Sequence, residues 1–281
     1  MSARARPPAP PSDARRPPRY RRPGDRAERA LRLGLLAAAL ARREWQSRYR
    51  RSLLGPAWSF LKPLLTMGVL VLLKEAVGIS SGGFPYAVFA CAAVVPWTLF
   101  STGLGTAASS VFSNAALLRK VDAPREAFPL AAVVVSLIDF CIAAGILLAL
   151  MAAHGVALGP RALLAFPLAA LTAAFTYALG LALAAVGTYQ RDVIYGLPFF
   201  IQMGLLVSPV AYPTSLVPAA WLPIYALNPM VGIVEGFRAV LLRDAWPDPA
   251  LLLPAALVTA LTFFLGWPLF RRVSPYFADV L

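Results

Sequence analysis

Charge is the first thing this chain is short of. Only 14% of its 281 residues are Asp, Glu, Lys or Arg, too few to cover a soluble domain of that length. Cysteine is nearly missing too. Cys91 and Cys141 each sit in an apolar run with no partner at metal-ligand spacing, so both read as small packing residues and no metal site is expected. The one histidine, His154, stands beside Gly155 and reads as a solvated loop residue, with a weak proton carrier as the sharper alternative. No Ser/His/Asp set or pair of carboxylates can be assembled, which argues against an enzyme. There is no G-x-x-x-x-G-K-[ST] phosphate loop or other nucleotide-binding signature, so the chain cannot hydrolyse ATP by itself. The start also lacks the continuous apolar core and small-residue cleavage site of a secretory signal. Nothing is expected to be removed, and the N-terminus is expected to stay in the cytoplasm.

What the chain has is apolar surface: 59% hydrophobic residues and a mean hydropathy of +0.68. These values describe an integral membrane protein. The net charge of +13 could be mistaken for a nucleic-acid footprint, but 15 of the 26 Lys and Arg precede Ser52. No DNA- or RNA-reading motif accompanies them. Basic residues beside apolar spans read as a topology signal and as contacts to anionic headgroups, so no nucleic-acid partner is expected.

Residues 1–30 are rich in Pro and Arg with almost nothing to bury, and are expected to form a disordered cytoplasmic extension. Residues 31–55 follow as an amphipathic interface helix. Trp45, Tyr49 and Leu53 share one stripe of it, Arg43, Glu44, Arg48, Arg50 and Arg51 take the rest, and Gly55-Pro56 ends it. From residue 56 to 281 the pattern predicts an all-α transmembrane domain with six spans, near 57–77, 86–109, 129–152, 162–186, 193–210 and 250–270. With both termini cytoplasmic, only Lys74, Arg161, Arg238 and Arg243 of the 26 Lys and Arg fall on the far side. That asymmetry sets the expected orientation.

Before the last span the helical pattern fails. Pro209, Pro213, Pro218, Pro223 and Pro229 are too closely spaced for one continuous helix, and lipid offers no water to the freed backbone groups. Residues 211–249 are therefore expected to form re-entrant extracytoplasmic helices sheltered by protein or open to water. The remaining charges read as structural. Asp139, near the middle of the third span, needs a partner, protonation or water, a role in a transport cycle being the sharper alternative. Glu235 and Arg238 can pair at i,i+3. Arg191 and Asp192 sit at the turn before the fifth span, where a carboxylate suits a helix N-terminus. Between the second and third spans, SNAALLRKVDAPREAFP (residues 113–129) reads as a cytoplasmic segment, with 112–127 as a coupling segment or, more plainly, a solvated loop.

RREWQSRYRRSLLGPAWSFLKPLL resembles the opening segment of the membrane subunits of type 2 ABC polysaccharide exporters, through Arg48, Tyr49, Ser52, Leu54, Gly55, Trp58, Leu61 and Pro63. NAALLRKVDAPREAFPLA resembles their coupling segment through Asn114, Leu118, Lys120, Val121, Pro124, Arg125 and Pro129. YQRDVIYGLPFF, SPVAYP and LNPMVGIVEGFR are similar to their later turn and re-entrant hairpins, so the likeness runs in order from about Leu31 to Leu281. Ala123-Pro124 departs from the bulky residue that relatives often carry before the proline.

The resemblance implies a homodimer in the bacterial inner membrane, paired with two copies of a separate nucleotide-binding subunit that holds ATP and Mg. It implies an undecaprenyl-linked polysaccharide of O-antigen or capsule type as cargo. Arg43, Glu44, Arg48 and Tyr49 of the interface helix, with Asn114, Leu118, Lys120 and Arg125, would then couple to that subunit. Sugar rings stack their C–H faces on aromatics without fixed register. Tyr86, Phe89, Trp97 and Phe100, with Tyr195, Phe199 and Phe200, are the candidate channel residues, Trp97 and Phe100 sharing a face. The competing readings are an exporter of teichoic-acid polymer, lipid or drug, a proton-driven carrier using Asp139 or His154, and an intramembrane glycosyltransferase.

Overall fold

The computed structural model describes residues 26–49, 55–78, 81–118 and 124–277. Most of the Pro/Arg-rich extension, residues 50–54, the side chain of Tyr49 and the coupling candidate Lys120 lie outside the described residues. Within them the chain is helical with no strand. The helices are α1 (Arg26–Tyr49), α2 (Trp58–Val77), α3 (Tyr86–Ser113), α4 (Ala115–Leu118), α5 (Ala127–Ala153), α6 (Ala165–Tyr189), α7 (Arg191–Val207), α8 (Leu222–Tyr225), α9 (Pro229–Leu242) and α10 (Pro249–Val273).

Among the described residues, four stretches are long and apolar enough to cross a membrane: Tyr86–Ser113, Ala127–Ala153, Pro160–Tyr189 and Pro249–Tyr276. They coincide with four of the six expected spans. The other two correspond to α2 and α7. The first has 20 residues and carries Lys62 and Lys74, and the second has 17 residues with Pro198 inside it.

The helices end where local chemistry ends them. Gly78 takes a left-handed conformation (φ 75°) and donates its N–H to Lys74 O, closing α2, a geometry that glycine adopts without Cβ strain. Asn228-Pro229 and Asp248-Pro249 open α9 and α10 by the same device. The side-chain oxygen accepts from the N–H two residues on, and the proline occupies a first-turn position whose missing donor costs nothing.

Helix α3 is the hub. It packs against α2, α5, α6, α7 and α9, and Val88, Ala90, Ala92, Ala93 and Ala107 have no exposed surface. Without a hydrophobic drive between helices in lipid, such contacts rest on close approach of small residues. Gly103 and Ala107 of α3 face Thr176 and Gly180 of α6 in register: a Cβ on Gly103 would lie 2.8 Å from Thr176 Cγ2, and one on Gly180 would lie 2.7 Å from Ala107 Cβ. Gly232 of α9 is tighter still, since a Cβ there would stand 2.2 Å from the backbone oxygen of Leu251 in α10.

Backbone cannot rotate away as a side chain can. Gly232→Ala is expected to destabilise by about 1–3 kcal/mol. Gly68→Ala in α2, where a Cβ meets nothing within 4 Å, is expected to be neutral or stabilising. Thermal unfolding of the two variants in mild detergent compares them.

Candidate functional site

Every residue of α9 is buried, including Arg238 at 2% exposure. A guanidinium in such a place is tolerable only if its donors are matched. Nε donates to Phe89 O at 3.4 Å, Nη1 to Glu235 Oε1 at 2.9 Å and Tyr212 O at 3.2 Å, and Nη2 to Val210 O at 2.9 Å. Its carbon lies 3.6 Å from the centre of the Phe89 ring. Arg243 donates to the other Glu235 oxygen at 3.2 Å.

Tyr86 donates to Ala211 O at 2.8 Å, so Arg238 and Tyr86 together collect three successive carbonyls, 210 to 212. The Tyr212 hydroxyl bonds to Leu206 O and Val207 O at the end of α7 and accepts from Tyr225. Asn228 donates to Ser208 Oγ at 3.0 Å. The expected Glu235–Arg238 pair is present, and it serves as the centre of a clamp on the proline-broken segment. Arg161 plays a smaller version of this role: it donates to Asp244 O at 2.6 Å and to Asp244 Oδ2 at 3.2 Å. Asp244 is the described non-glycine residue with positive φ, 44°.

The seven candidate channel aromatics separate into three sets. Tyr86 and Phe89 are built into the clamp. Trp97 and Phe100 pack together at 5.3 Å, and Phe100 stacks on Phe175 at 5.3 Å with planes 6° apart. With Phe200, Leu104 and Leu197 they line an apolar groove of about 400 Å³ between α3, α6 and α7, with Ser208 and Asn228 among its polar lining. Tyr195 and Phe199 are exposed on α7 at 74% and 60% and do not line it. Phe175 went unrecognised in the sequence, where it is one aromatic in an Ala-rich span. Its signal would have been the groove itself.

Toward the other end of α3, a helix about 42 Å long at 1.5 Å per residue, α1 docks. Ala37, Leu40 and Ala41 are its buried face, packed on α5 beside Trp45. Arg43 donates to Asn114 Oδ1, and Asn114 Nδ2 to Ser110 O at 2.9 Å, so two coupling candidates meet directly. Arg48 donates to Asp139 Oδ2 at 2.9 Å and to Glu44 at 3.3 Å. Ser59 of α2 donates to Asp139 Oδ1 at 2.7 Å. The carboxylate in the middle of α5 therefore ties α1, α2 and α5 together.

Leu118 is buried. Arg125 keeps Nη1 buried with no hydrogen-bond partner among the described residues. Its neighbour Glu126 meets Arg271 of α10 at 3.5 Å. Arg191 lies over the Phe112 ring at 4.9 Å, joining the α6–α7 turn to the end of α3. Asp192 falls in the first turn of α7, where the N-cap position belongs to Gln190. Ser59, Glu126 and Arg271 were not singled out in the sequence, because their partners lie far away in the chain.

Breaking a buried pair strands a charge. Arg238→Met is expected to cost about 3–5 kcal/mol, whereas Arg243→Gln, at a half-exposed side chain, is expected to cost within about 1 kcal/mol. Unfolding midpoints of the detergent-solubilised variants check the contrast.

The arrangement offers apolar and aromatic surfaces and charge clamps, the equipment of a binding and moving device. Comparison with known proteins agrees. The family described as ABC-2 type transporter matches residues 36–242. The O-antigen export system permease protein RfbA of Myxococcus xanthus is 32% identical over 248 residues, covering 87% of this chain and 94% of that protein. Two Klebsiella pneumoniae proteins of the same name are each 21% identical, over 252 and 254 residues, covering 88% of this chain and 95% of theirs. With a match reaching from α1 to the end of α9 and apolar helices of spanning length, this multi-pass membrane protein belongs to the ABC-2 type transporter family.

Proposed function

We propose that this chain is the membrane subunit of an ATP-driven exporter of lipid-linked cell-surface polysaccharide, of the O-antigen or capsule type. The observation that carries the reading is the near full-length similarity to three proteins named O-antigen export system permease, at 94–95% of their lengths. The cargo would be a polymer on an undecaprenyl-type lipid in the bacterial inner membrane. Two copies of the chain would enclose the path on a twofold axis, each supplying the same wall.

In this reading α2 and α7 complete six crossings, and both termini face the cytoplasm. Residues 211–249 form the extracytoplasmic re-entrant unit held by Arg238. A separate nucleotide-binding subunit, also in two copies, holds ATP and Mg. It engages α1 and the 112–127 segment, which include Arg43, Glu44, Arg48, Tyr49, Asn114, Leu118, Lys120 and Arg125. Closure of that subunit rocks the helix bundle between discrete states. Two features support the coupling role: the Arg43–Asn114 bond joins α1 to the end of α3, and Arg125 holds a donor with no partner among the described residues. Sugar faces would pass over Trp97, Phe100 and Phe200, whose groove is apolar enough to hold a polymer without fixed register.

Purification of the full chain from mild detergent after expression with its neighbouring genes is expected to recover an equimolar ATPase whose turnover rises with lipid-linked glycan. Recovery of the intact protein with no ATPase would overturn the reading. Arg125→Ala is expected to leave membrane insertion and complex recovery intact while lowering glycan-stimulated turnover about tenfold, the worth of one charge-assisted bond. Unchanged stimulation would remove Arg125 from the coupling set. Trp97→Ala is expected to reduce surface polysaccharide more than protein level. Immunoblotting of both quantities makes that comparison.

A further inference from the structure

A second cavity lies apart from the aromatic groove, enclosed by α1, α2, α3 and α5. It measures about 380 Å³ and is lined by Arg48, Trp58, Ser59, Lys62, Thr98, Thr102 and Asp139. At roughly 30 Å³ per water it has room for about a dozen waters, or for one headgroup-sized ligand. What distinguishes it is the balance of its lining. Among the described lining residues Asp139 is the sole carboxylate, and both of its oxygens already accept, Oδ2 from Arg48 and Oδ1 from Ser59. Thr98 donates its hydroxyl to Val94 O in its own helix.

The side chains that remain are donors. Lys62, Thr102 and the Trp58 indole make no hydrogen bond or ion pair among the described residues. Arg48 bonds both Asp139 and Glu44, so among the described residues one positive charge of the lining is left without an ion pair. That charge belongs to Lys62, which sits on an otherwise apolar stretch of α2 between Phe60 and Leu65. Exposed and without an ion pair among the described residues, its ammonium is open to a counter-charge. The vacant chemistry is thus a singly charged, acceptor-only group that takes several N–H and O–H donors at once, as a phosphate oxygen pair does.

We propose that this cavity is a phosphate-binding site, with Lys62 and Thr102 as the direct ligands and the Arg48–Asp139–Ser59 network as the support that holds its walls. The natural source is the phosphate of a membrane lipid headgroup. Trp58, an exposed large hydrophobic side chain, is part of the cavity lining and sets a lipid chain beside it. The site concerns a headgroup and does not depend on the export reading, because binding can be measured on the chain without any ATPase.

The test uses the full chain in mild detergent and native mass spectrometry. One arm adds dioleoylphosphatidylglycerol or, separately, dioleoylphosphatidylcholine, and the other adds sodium phosphate alone. The expected result is preferential retention of phosphatidylglycerol, weakened about tenfold by Lys62→Gln, the worth of a hydrogen bond to a charged group. Thr102→Val should weaken it by a smaller factor. Arg272→Gln removes one positive charge at the end of α10, away from the cavity lining, and is expected to change nothing.

Binding of sodium phosphate with the same dependence on Lys62 would support the site and name free phosphate as its source. Binding confined to the lipid would support it and name the headgroup. Equal retention by wild type and Lys62→Gln, or an equal loss in Arg272→Gln, would overturn the proposal. Lys62 is exposed and unpaired among the described residues, so its variant is expected to keep the wild-type unfolding midpoint, and that measurement separates lost binding from lost folding.

Discussion

Hydrocarbon satisfies no hydrogen bond, and this constraint organises the molecule. Where the chain is helical, the backbone meets it internally. Where prolines break the helix after α7, other groups must answer for the carbonyls, and Arg238, Tyr86 and Tyr212 do so. One buried guanidinium reaches Phe89 of α3, Glu235 of its own helix and two carbonyls of the broken segment. The cost of burying that charge is offset because all these partners converge on it. The segment can therefore be irregular without being loose.

The same constraint gives α3 its place. A helix with neighbours on nearly every side cannot use bulky side chains throughout, so Gly103 and Ala107 admit α6 and the large residues collect elsewhere. Trp97, Phe100 and Phe175 form one contiguous aromatic set, Phe100 tilted against Trp97 and stacked on Phe175. Close approach along one part of the α3–α6 contact and an aromatic groove beside another are two results of one distribution of residue sizes.

Charge placement divides the bundle into ends with different tasks. At the clamp end, the buried ions are matched and hold irregular backbone. Where α1 docks, Asp139 joins three helices through Arg48 and Ser59, while among the described residues Arg125 keeps an unmatched donor and Lys62 an unmatched charge. Matched charges make a rigid joint, and unmatched ones invite a ligand.

The helical class, the four longest spans and the broken segment were legible because hydropathy and proline act locally, through lipid thickness and the missing N–H. So was the Glu235–Arg238 pair, since i,i+3 neighbours meet on any helix. Asp139 announced that it needed a partner, but not that the partner would be Arg48, 91 positions earlier in the chain. Likewise the seven aromatics could be named as a class, while their division into clamp, groove and exposed surface could not, and Phe175 was invisible. Sequence by itself determined which segments must be helical and which residues must find partners, because those follow from the solvent and from neighbours within a turn. Only the tertiary structure decided who the partners are and which faces enclose a cavity, because both depend on how helices distant in sequence approach across small residues.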